Sequence, residues 1–209
     1  MAKFDFSGRK AIVTGGGSGI GKVIAEMLCE SGADVAIAGR KQGPLDAVAE
    51  AINAKGGGRC IGIPTDVRDP QAAAHLVAQT VAAFGGLDLL VNNAGKGWHA
   101  PLRTMAPEVW QNDFALNMHG SFYCAQAAFE HLKASDHAAI VNVSSLAGQN
   151  GTMGVAAYSA AKSGVQMFTR VAAAEWGPHG IRVNCVAPGM IATELAQANW
   201  AKTGFDAAS

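Results

Sequence analysis

The sequence predicts an α/β fold in which helices cover both faces of a doubly wound parallel sheet. Short apolar runs alternate with longer Ala-rich segments along the chain. Runs such as 139–143 are largely apolar on both faces, which is typical of strands in a parallel sheet that helices cover on each side. Strict alternation of strand and helix predicts a parallel sheet. The helical connections between its strands are then right-handed crossovers.

The predicted strands are the β-branched runs, and the predicted helices are the longer segments between them. The strands are 11–14, 34–38, 60–64, 87–92, 138–144 and 181–187. The helices are 19–31, 43–55, 70–84, 107–133 and 155–176. Because no repeat, low-complexity segment or linker interrupts this pattern, we expect a single domain over residues 1–209.

The composition excludes several classes of protein. Hydrophobic residues make up 49% of the chain and charged residues 15%, which is typical of a globular protein rather than a disordered one. The formal net charge is zero and no basic run occurs, so we expect no nucleic acid partner. No long apolar stretch is present and residues 1–9 lack an apolar signal core, so we expect no membrane partner.

The cysteines and histidines show no metal-binding pattern. Cys29, Cys60, Cys124 and Cys185 are far apart and form no Cys-x-x-Cys pair. This spacing favours free thiols in a reducing, cytoplasmic compartment over disulfides. The six histidines form no ligand-like cluster, so we predict no metal site.

A glycine-rich segment lies directly after the first predicted strand and before a helix. Residues 14–21 have the sequence TGGGSGIG, with the spacing G-x-x-x-G-x-G through Gly15, Gly19 and Gly21. The diphosphate of a dinucleotide needs backbone N–H donors and a helix N-terminus at close range, and glycines leave room for it. The spacing differs from G-x-G-x-x-G, and a simple turn also collects glycine, but its placement favours dinucleotide binding and a Rossmann-like fold.

The end of the second predicted strand indicates which dinucleotide is bound. An acidic residue there commonly binds the ribose 2′-hydroxyl of NAD, whereas an arginine accommodates the 2′-phosphate of NADP. Gly39 stands where the acid would be, and Arg40 follows with a planar fork of donors. The sequence therefore favours NADP as cofactor. The alternatives are NAD and a merely solvated pair of loop charges at Arg40 and Lys41.

Tyr158 and Lys162 are four residues apart in a predicted helix and so lie on one face, one turn from each other. A tyrosine with its ordinary pKa is a poor base at neutral pH. A nearby ammonium stabilises the phenolate and lowers that pKa, so the pair can act as an acid/base on a carbonyl or an alcohol. Taken alone, this spacing is a common coincidence.

Polar residues at other strand ends point to the same sheet edge. Ser144 and Ser145 end one predicted strand, where a hydroxyl can polarise a substrate carbonyl. The sequence NNAG at 92–95 ends another strand. Asn117 lies inside a predicted helix near Gly120, a locally unfavourable arrangement that indicates a kink or a bound water. The alternative is a solvent-facing asparagine without a role.

Together these motifs resemble the short-chain dehydrogenase/reductases, a family of oxidoreductases with a Tyr-Lys pair. The similarity extends from about residue 9 to residue 193. The matching elements, in order, are TGGGSGIG at 14–21, Asp66-Val67, NNAG at 92–95, Asn117, Ser145, YSAAK at 158–162 and PGMIAT at 188–193.

The resemblance implies an NAD(P)-dependent oxidoreductase that moves a hydride between nicotinamide and a carbonyl or secondary alcohol. Tyr158 would be the proton donor and acceptor. Lys162 would lower the pKa of Tyr158 and hold the nicotinamide ribose hydroxyls. Ser145, rather than Ser144, would orient the carbonyl, and Asn117 would hold a water in a proton relay.

The resemblance also implies where the cofactor binds. Asp66 and Val67 would contact adenine, and residues 93–95 would line the adenosine-side ribose and the approach to nicotinamide. Ile191 and Thr193 would contact the carboxamide and the phosphates. The implied cofactor-binding residues are Thr14, Gly15, Gly17, Ser18, Gly19, Ile20, Gly21, Arg40, Asp66, Val67, Asn93, Ala94, Gly95, Tyr158, Lys162, Pro188, Gly189, Ile191 and Thr193.

Two other functions stay open from the sequence. One is an enoyl- or dienoyl-CoA-type reductase, although such enzymes often lack the tyrosine that is present here at 158. The other is a non-catalytic NADP-binding regulatory protein. The family usually continues with a further helix and strand, so we expect this chain to lack them and to be C-terminally short. We expect substrate specificity to lie in the loops 96–102, 146–155 and 192–209.

The helices at 113–133 and 155–176 carry more apolar surface than one face of a sheet can cover. Such a surface either lies inside its own domain or packs against a second subunit. In the family the equivalent helices pair across a two-fold axis, so we expect a homo-oligomer: at least a dimer through these helices, or the homotetramer that is common in the family. The small residues that would permit close approach are Ala160, Ala161, Gly164, Ala172 and Ala173.

Overall fold

A computed structural model describes residues 4–193 and residue 197. Its strands are β1 (Lys10–Thr14), β2 (Asp34–Gly39), β3 (Cys60–Pro64), β4 (Leu89–Asn92), β5 (Ala139–Val143) and β6 (Arg182–Val186). They form one sheet in the order β3-β2-β1-β4-β5-β6, and every neighbouring pair is parallel. The order reverses between β1 and β4, which is where open α/β sheets bind ligands. The predicted fold class is confirmed.

Six helices connect these strands in the described part of the chain. They are α1 (Gly19–Glu30), α2 (Gln42–Asn53), α3 (Pro70–Phe84), α4 (Pro107–Phe114), α5 (Gly120–Lys133) and α6 (Ala156–Trp176). Local chemistry explains the ends of α3. The Asp69 carboxylate caps its first turn by accepting a 2.8 Å hydrogen bond from the Gln71 N–H, and Gly85 ends it in a left-handed conformation, φ +80°.

Two apolar cores lie on opposite faces of the sheet, which explains why the strands are apolar at successive positions. In β1, Ile12 packs into the core beneath α3 and α5, whereas Ala11 and Val13 pack into the core beneath α1 and α2. All three side chains are fully buried. Side chains alternate across a strand, so a strand with an apolar partner on each face shows no polar alternation.

The helix predicted over 107–133 contains a distortion at the position of Asn117. Helix α4 ends at Phe114, residues Ala115–His119 form a π-helical turn, and α5 begins at Gly120. A π-helical turn inserts an extra residue into the helical repeat and is frequent at functional sites. The irregularity at this mid-helix asparagine takes the form of a π-helical turn, and the expected kink or bound water stays a prediction.

None of the helices that the structure describes is long and apolar enough to cross a membrane. The expected absence of a last helix and strand concerns the chain after Thr193, which lies outside the described residues apart from Gln197. The same holds for most of the predicted specificity loop at 192–209.

Candidate active site

A cavity of about 690 Å³ lies at the carboxyl ends of β1, β4 and β5, at the point where the strand order reverses. Most of the residues that the sequence singled out line it. These are Gly15, Ser18, Gly19, Ile20, Asn93, Ala94, Gly95, Ser145, Tyr158, Lys162, Pro188, Gly189, Ile191 and Thr193. Val143, Ser144 and Met190 complete the lining.

The glycine loop wraps tightly around the end of β4, and this requires glycine at specific positions. Gly15 and Gly19 have positive φ angles of 68° and 52°, which L side chains rarely adopt. A Cβ atom at Gly15 would lie 2.9 Å from Asn93 Nδ2, and one at Gly21 would overlap the Gly15 carbonyl oxygen. The loop therefore approaches its neighbours by backbone alone.

Thr14 and Asn93 lock this loop to β4. Thr14 Oγ1 accepts hydrogen bonds of 3.0 Å from the N–H groups of both Asn93 and Ala94. Asn93 Nδ2 donates to the Thr14 carbonyl oxygen at 2.8 Å. Thr14, buried beneath the cavity, does not line it. The side chains of Thr14 and Asn93 thus shape the loop.

The remaining residues expected at the adenosine end do not line the cavity. A Cβ atom at Gly17 would lie 3.3 Å from Leu45 Cδ2. The Asp66 carboxylate accepts hydrogen bonds from Arg68 Nε at 2.9 Å and 3.1 Å, which lowers the pKa of Asp66. The Val67 side chain is buried in the core, so Val67 can offer a ligand only its backbone. Arg40 is exposed and close enough to Asp66 to contribute to the lowered pKa.

Tyr158 and Lys162 lie in the first turns of α6 and face the end of β5. Lys162 is only 3% exposed, and its ammonium donates to the Val143 carbonyl oxygen at 2.8 Å. The same nitrogen lies 5.7 Å from the centroid of the Tyr158 ring. The helical spacing predicted from the sequence thus brings the two side chains together over one strand end.

The two serines at the end of β5 have different surroundings. The Ser144 hydroxyl is buried, donates to the Lys162 carbonyl oxygen at 2.9 Å and accepts from Gln166 Nε2 at 3.0 Å. Ser145 Oγ accepts from the Ala147 N–H at 3.1 Å, and the Ser145 hydroxyl also interacts with Tyr158. Ser144 therefore holds α6 against β5, whereas Ser145 faces the tyrosine.

Burial sets the protonation of the Tyr-Lys pair. Burial raises the pKa of Tyr158; the Ser145 hydroxyl opposes this effect, and the charge of Asp113 adds to it. Burial lowers the pKa of Lys162 to about 8, against smaller opposing contributions from Cys185 and Asp113. Desolvation of the phenolate is the largest of these effects on Tyr158, and the expected lowering of its pKa by Lys162 stays a prediction.

Asn117 lies beneath the cavity, fully buried, and does not face solvent. Its Nδ2 donates to the Lys96 carbonyl oxygen at 2.9 Å, and its Oδ1 accepts from the Lys96 N–H at 3.2 Å. A Cβ atom at Gly95 would lie 2.7 Å from Asn117 Oδ1 and 3.0 Å from Lys162 Nζ. Asn117 therefore fixes the loop after β4 beside the lysine.

Asp113 is a site residue that sequence reasoning missed. Its side chain is fully buried, and its Oδ1 accepts from Asn117 Nδ2 at 3.1 Å. Residues four apart in a helix share a face. An acid one turn before a mid-helix asparagine was thus the available signal.

A second missed cluster ties the strand ends together. Asn92 Nδ2 donates to Asn142 Oδ1 at 2.9 Å, and Asn142 Nδ2 donates to Thr169 Oγ1 at 2.9 Å. All three side chains are buried. They join β4 and β5 to α6, the helix that carries Tyr158. The signal was an asparagine in each of two otherwise apolar strands.

Comparison with known proteins identifies the family. The family model of the short chain dehydrogenases matches residues 9–204. The chain belongs to the short-chain dehydrogenase family. The resemblance drawn from the motifs is therefore confirmed.

Named relatives of this short-chain dehydrogenase act on hydroxyl groups. Cis-4-hydroxycyclohexanecarboxylate dehydrogenase of Sinomonas cyclohexanicum is 42% identical over 191 residues, which cover 91% of this chain and 76% of the relative. Gluconate 5-dehydrogenase of Gluconobacter oxydans is 34% identical over 194 residues, which cover 93% and 75%. The solved structure of a short-chain type dehydrogenase/reductase from Mycobacterium ulcerans superposes with a TM-score of 0.91 at 33% identity, covering 95% of this chain and 73% of that one.

This short-chain dehydrogenase is therefore an oxidoreductase that acts on CH–OH groups, with alcohols or carbonyl compounds as substrates. Its family generally uses NAD or NADP as cofactor. The expectation of an enzyme of this class is confirmed.

Proposed function

We propose that this short-chain dehydrogenase transfers a hydride between NADP and a carbonyl or secondary alcohol, with Tyr158 as the general acid/base. One observation carries the proposal: Ser145, Tyr158 and Lys162 line the same cavity as the glycine loop. Binding of a dinucleotide and acid/base chemistry can then occur side by side.

The residues present fit a dinucleotide. The loop at 14–21 offers backbone N–H groups and the N-terminus of α1, and its glycines leave the approach clear of side chains. A Cβ atom at Gly95 would crowd the Lys162 ammonium, so glycine there keeps the ammonium accessible to ribose hydroxyls. The bound cofactor supplies or accepts the hydride.

The side chains divide the remaining work. Ser145 donates a hydrogen bond to the substrate oxygen and polarises it. The Tyr158 hydroxyl gives a proton to that oxygen in reduction and takes one in oxidation. Lys162 holds the ribose hydroxyls and, as a cation, stabilises the phenolate that forms when Tyr158 gives up its proton. Asn117 holds the loop after β4 in place beside Lys162.

A panel of secondary alcohols and carbonyl compounds with NADPH and NADH tests the function through the nicotinamide absorbance. We expect turnover with at least one carbonyl–alcohol pair. The panel includes an enoyl-CoA thioester, and reduction of that substrate alone would support double-bond chemistry instead. Cofactor binding without turnover on any member would support a regulatory protein.

The preference for NADP rests on the end of β2. Residue 39 offers no carboxylate to repel a 2′-phosphate, and the Arg40 guanidinium beside it is exposed. A Cβ atom at Gly39 would meet Leu45 at 3.5 Å, an ordinary contact, so a side chain fits at this position.

Gly39→Asp should reverse the cofactor preference. The new carboxylate would repel the 2′-phosphate of NADPH and accept a hydrogen bond from the 2′-hydroxyl of NADH. Two like charges in contact near a protein surface repel each other by about a few kcal/mol. We therefore expect the ratio of the Kd for NADPH to the Kd for NADH to rise by about tenfold or more. Gly39→Asn, of equal size but uncharged, is the control. Equal Kd values for both cofactors in the parent, unchanged in the Asp variant, would contradict the assignment.

We propose that the chain forms a homodimer through α4, α5 and α6. Large apolar side chains on these helices are exposed: Trp110 by 40%, Phe122 by 37%, Met167 by 55% and Val171 by 47%. The expected small-residue surface needs a correction. Ala161 and Ala172 are 0% and 3% exposed because they pack inside their own domain, so they cannot meet a partner.

Met167→Glu should convert the dimer into a monomer, since a two-fold interface would then bury two like charges. Size-exclusion chromatography with light scattering measures the mass. Met27→Glu on α1 is the matched control, because Met27 is 54% exposed on the other side of the sheet. A parent that is monomeric at micromolar concentration would contradict the proposed interface.

A further inference from the structure

Asp113 is a fully buried acid whose carboxyl group the proposed chemistry does not use. It lies in the last turn of α4, immediately before the π-helical turn that carries Asn117. A charged group is costly to bury unless its surroundings compensate it. The burial of Asp113 beside Asn117 therefore indicates that its contacts compensate part of the cost of burying a carboxyl group.

The contacts of Asp113 are incomplete. Its Oδ1 accepts from Asn117 Nδ2 at 3.1 Å, and its backbone carbonyl oxygen accepts from the same nitrogen at 2.9 Å. The Trp98 backbone N–H also interacts with the carboxyl group and lowers its pKa, although burial raises the pKa more. Its Oδ2 is buried and makes no hydrogen bond of ordinary geometry. Oδ1 thus holds the Asn117 amide, and the carboxyl group is only partly compensated for its burial.

The titratable groups near Asp113 include Tyr158 and Lys162. Helix α6 packs against α4 and carries Tyr158 and Lys162. The charge of Asp113 raises the pKa of both groups. From β6, Cys185 acts on Lys162. In the loop after β4, the Lys96 ammonium is exposed and lies 5.2 Å from the centroid of the Trp98 ring.

We propose that Asp113 is a positioning residue of this site: its carboxylate orients the Asn117 amide and sets the charge balance of the Tyr158–Lys162 pair. The effect of Asp113 on catalysis rests on the proposed function, in which Tyr158 is the acid/base. The electrostatic part of the inference rests on the burial of Asp113 and on the packing of α4 against α6, the helix that carries Tyr158 and Lys162.

The sign of the effect on the pair follows from charge. A negative neighbour disfavours the Tyr158 phenolate and favours the Lys162 ammonium, so it raises the pKa of both groups. Removing that charge lowers both pKa values. In alcohol oxidation, both limbs of the pH–rate profile should move to lower pH together. A purely structural defect would lower the rate at every pH and leave the limbs in place.

Direct titration of Tyr158 tests this without any substrate. The chain has only two tyrosines, so Tyr123→Phe leaves Tyr158 as the single phenol. In that background, NMR of tyrosine labelled with ¹³C at the carbon that bears the hydroxyl reports the pKa of Tyr158. We expect Asp113→Asn, which keeps size and an acceptor oxygen, to lower that pKa by about half a unit to one unit, as a nearby unit charge does.

Glu108→Gln is the matched control, because it removes the same charge from an exposed position of α4 and should leave the pKa unchanged. An unshifted Tyr158 pKa in a folded Asp113→Asn protein would overturn the proposal. If that variant does not fold, the unsubstituted Asp113 still provides a test. The Tyr158 signal should then show a second, smaller inflection where Asp113 titrates, and its absence would equally overturn the proposal.

The pH–rate profile completes the test once a substrate is known. Parallel displacement of both limbs in Asp113→Asn, with none in Glu108→Gln, is the expected result. A uniform loss of rate without displacement would overturn the role of Asp113. Lack of turnover in the parent protein would instead count against the proposed function and leave the titration result standing.

Discussion

Tyr158→Phe should abolish turnover and leave the Kd for the cofactor within a few-fold of the parent value. The ring keeps its packing in the cavity wall, where a Cβ atom at Gly97 would lie 3.0 Å from Tyr158 Cγ. Only the hydroxyl that gives or takes the proton is lost. General acid/base groups contribute about 10²- to 10⁴-fold to rate, so we expect kcat to fall by at least about 10²-fold. Initial rates and cofactor titration measure the two quantities.

Tyr123→Phe is the matched control, because it removes the other phenolic hydroxyl of the chain from α5. We expect that variant to keep most of the parent activity. If Tyr158→Phe retains most of the parent kcat on any accepted substrate, Tyr158 is not the acid/base.

Lys162→Met should damage both kcat and cofactor binding. Methionine keeps most of the apolar stem that is buried against β5 and removes the ammonium. The loss removes the donor to the ribose hydroxyls and the cation that stabilises the Tyr158 phenolate. We expect kcat to fall by about 10²-fold or more and the cofactor Kd to rise by about tenfold, typical of losing a charged hydrogen-bond donor.

Burial lowers the pKa of Lys162 to about 8, so the ammonium form predominates at neutral pH and is lost as the pH rises through that value. Activity that depends on the ammonium should therefore decline on the alkaline side. Lys133→Met on the exposed end of α5 is the control and should change neither quantity. A Lys162→Met protein with parental cofactor affinity would show that Lys162 does not hold the cofactor.

The fold could be predicted because its physical signals are local. Strands buried on both faces are apolar at successive positions, as at 11–13 in β1, and such strands alternate regularly with helices along the chain. The start of β4 was predicted too early, since Leu87 and Asp88 precede the strand, which begins at Leu89. Leu87 is buried by packing although it makes no strand ladder, and a hydrophobic pattern cannot separate those two cases.

The site could be predicted where motif spacing fixes it. The four-residue spacing of Tyr158 and Lys162 and the glycines at 15, 19 and 21 carry their geometry in the sequence. The protonation of the pair could not be predicted, because burial depends on how α6 packs against β5 and on the loops above them.

Contacts between distant segments also escaped prediction. Asp113 resembles a surface acid in the sequence, yet its side chain is fully buried in the fold and bonded to Asn117. Asn142 meets Asn92 only because β4 and β5 are neighbours in register. Ala161 and Ala172 were assigned to a partner-facing surface, since helical periodicity does not tell which of two apolar faces meets the sheet.

Transfer of deuterium tests the central claim most directly. NADPH that carries deuterium in place of both hydrogens at C4 of its nicotinamide is incubated with the protein and a carbonyl substrate. Mass spectrometry then follows the label in the alcohol product. The account predicts one deuterium on the carbon that bears the new hydroxyl, at a rate that Tyr158→Phe reduces by at least about 10²-fold. An alcohol formed without deuterium, or formed equally fast by Tyr158→Phe, would contradict hydride transfer assisted by Tyr158.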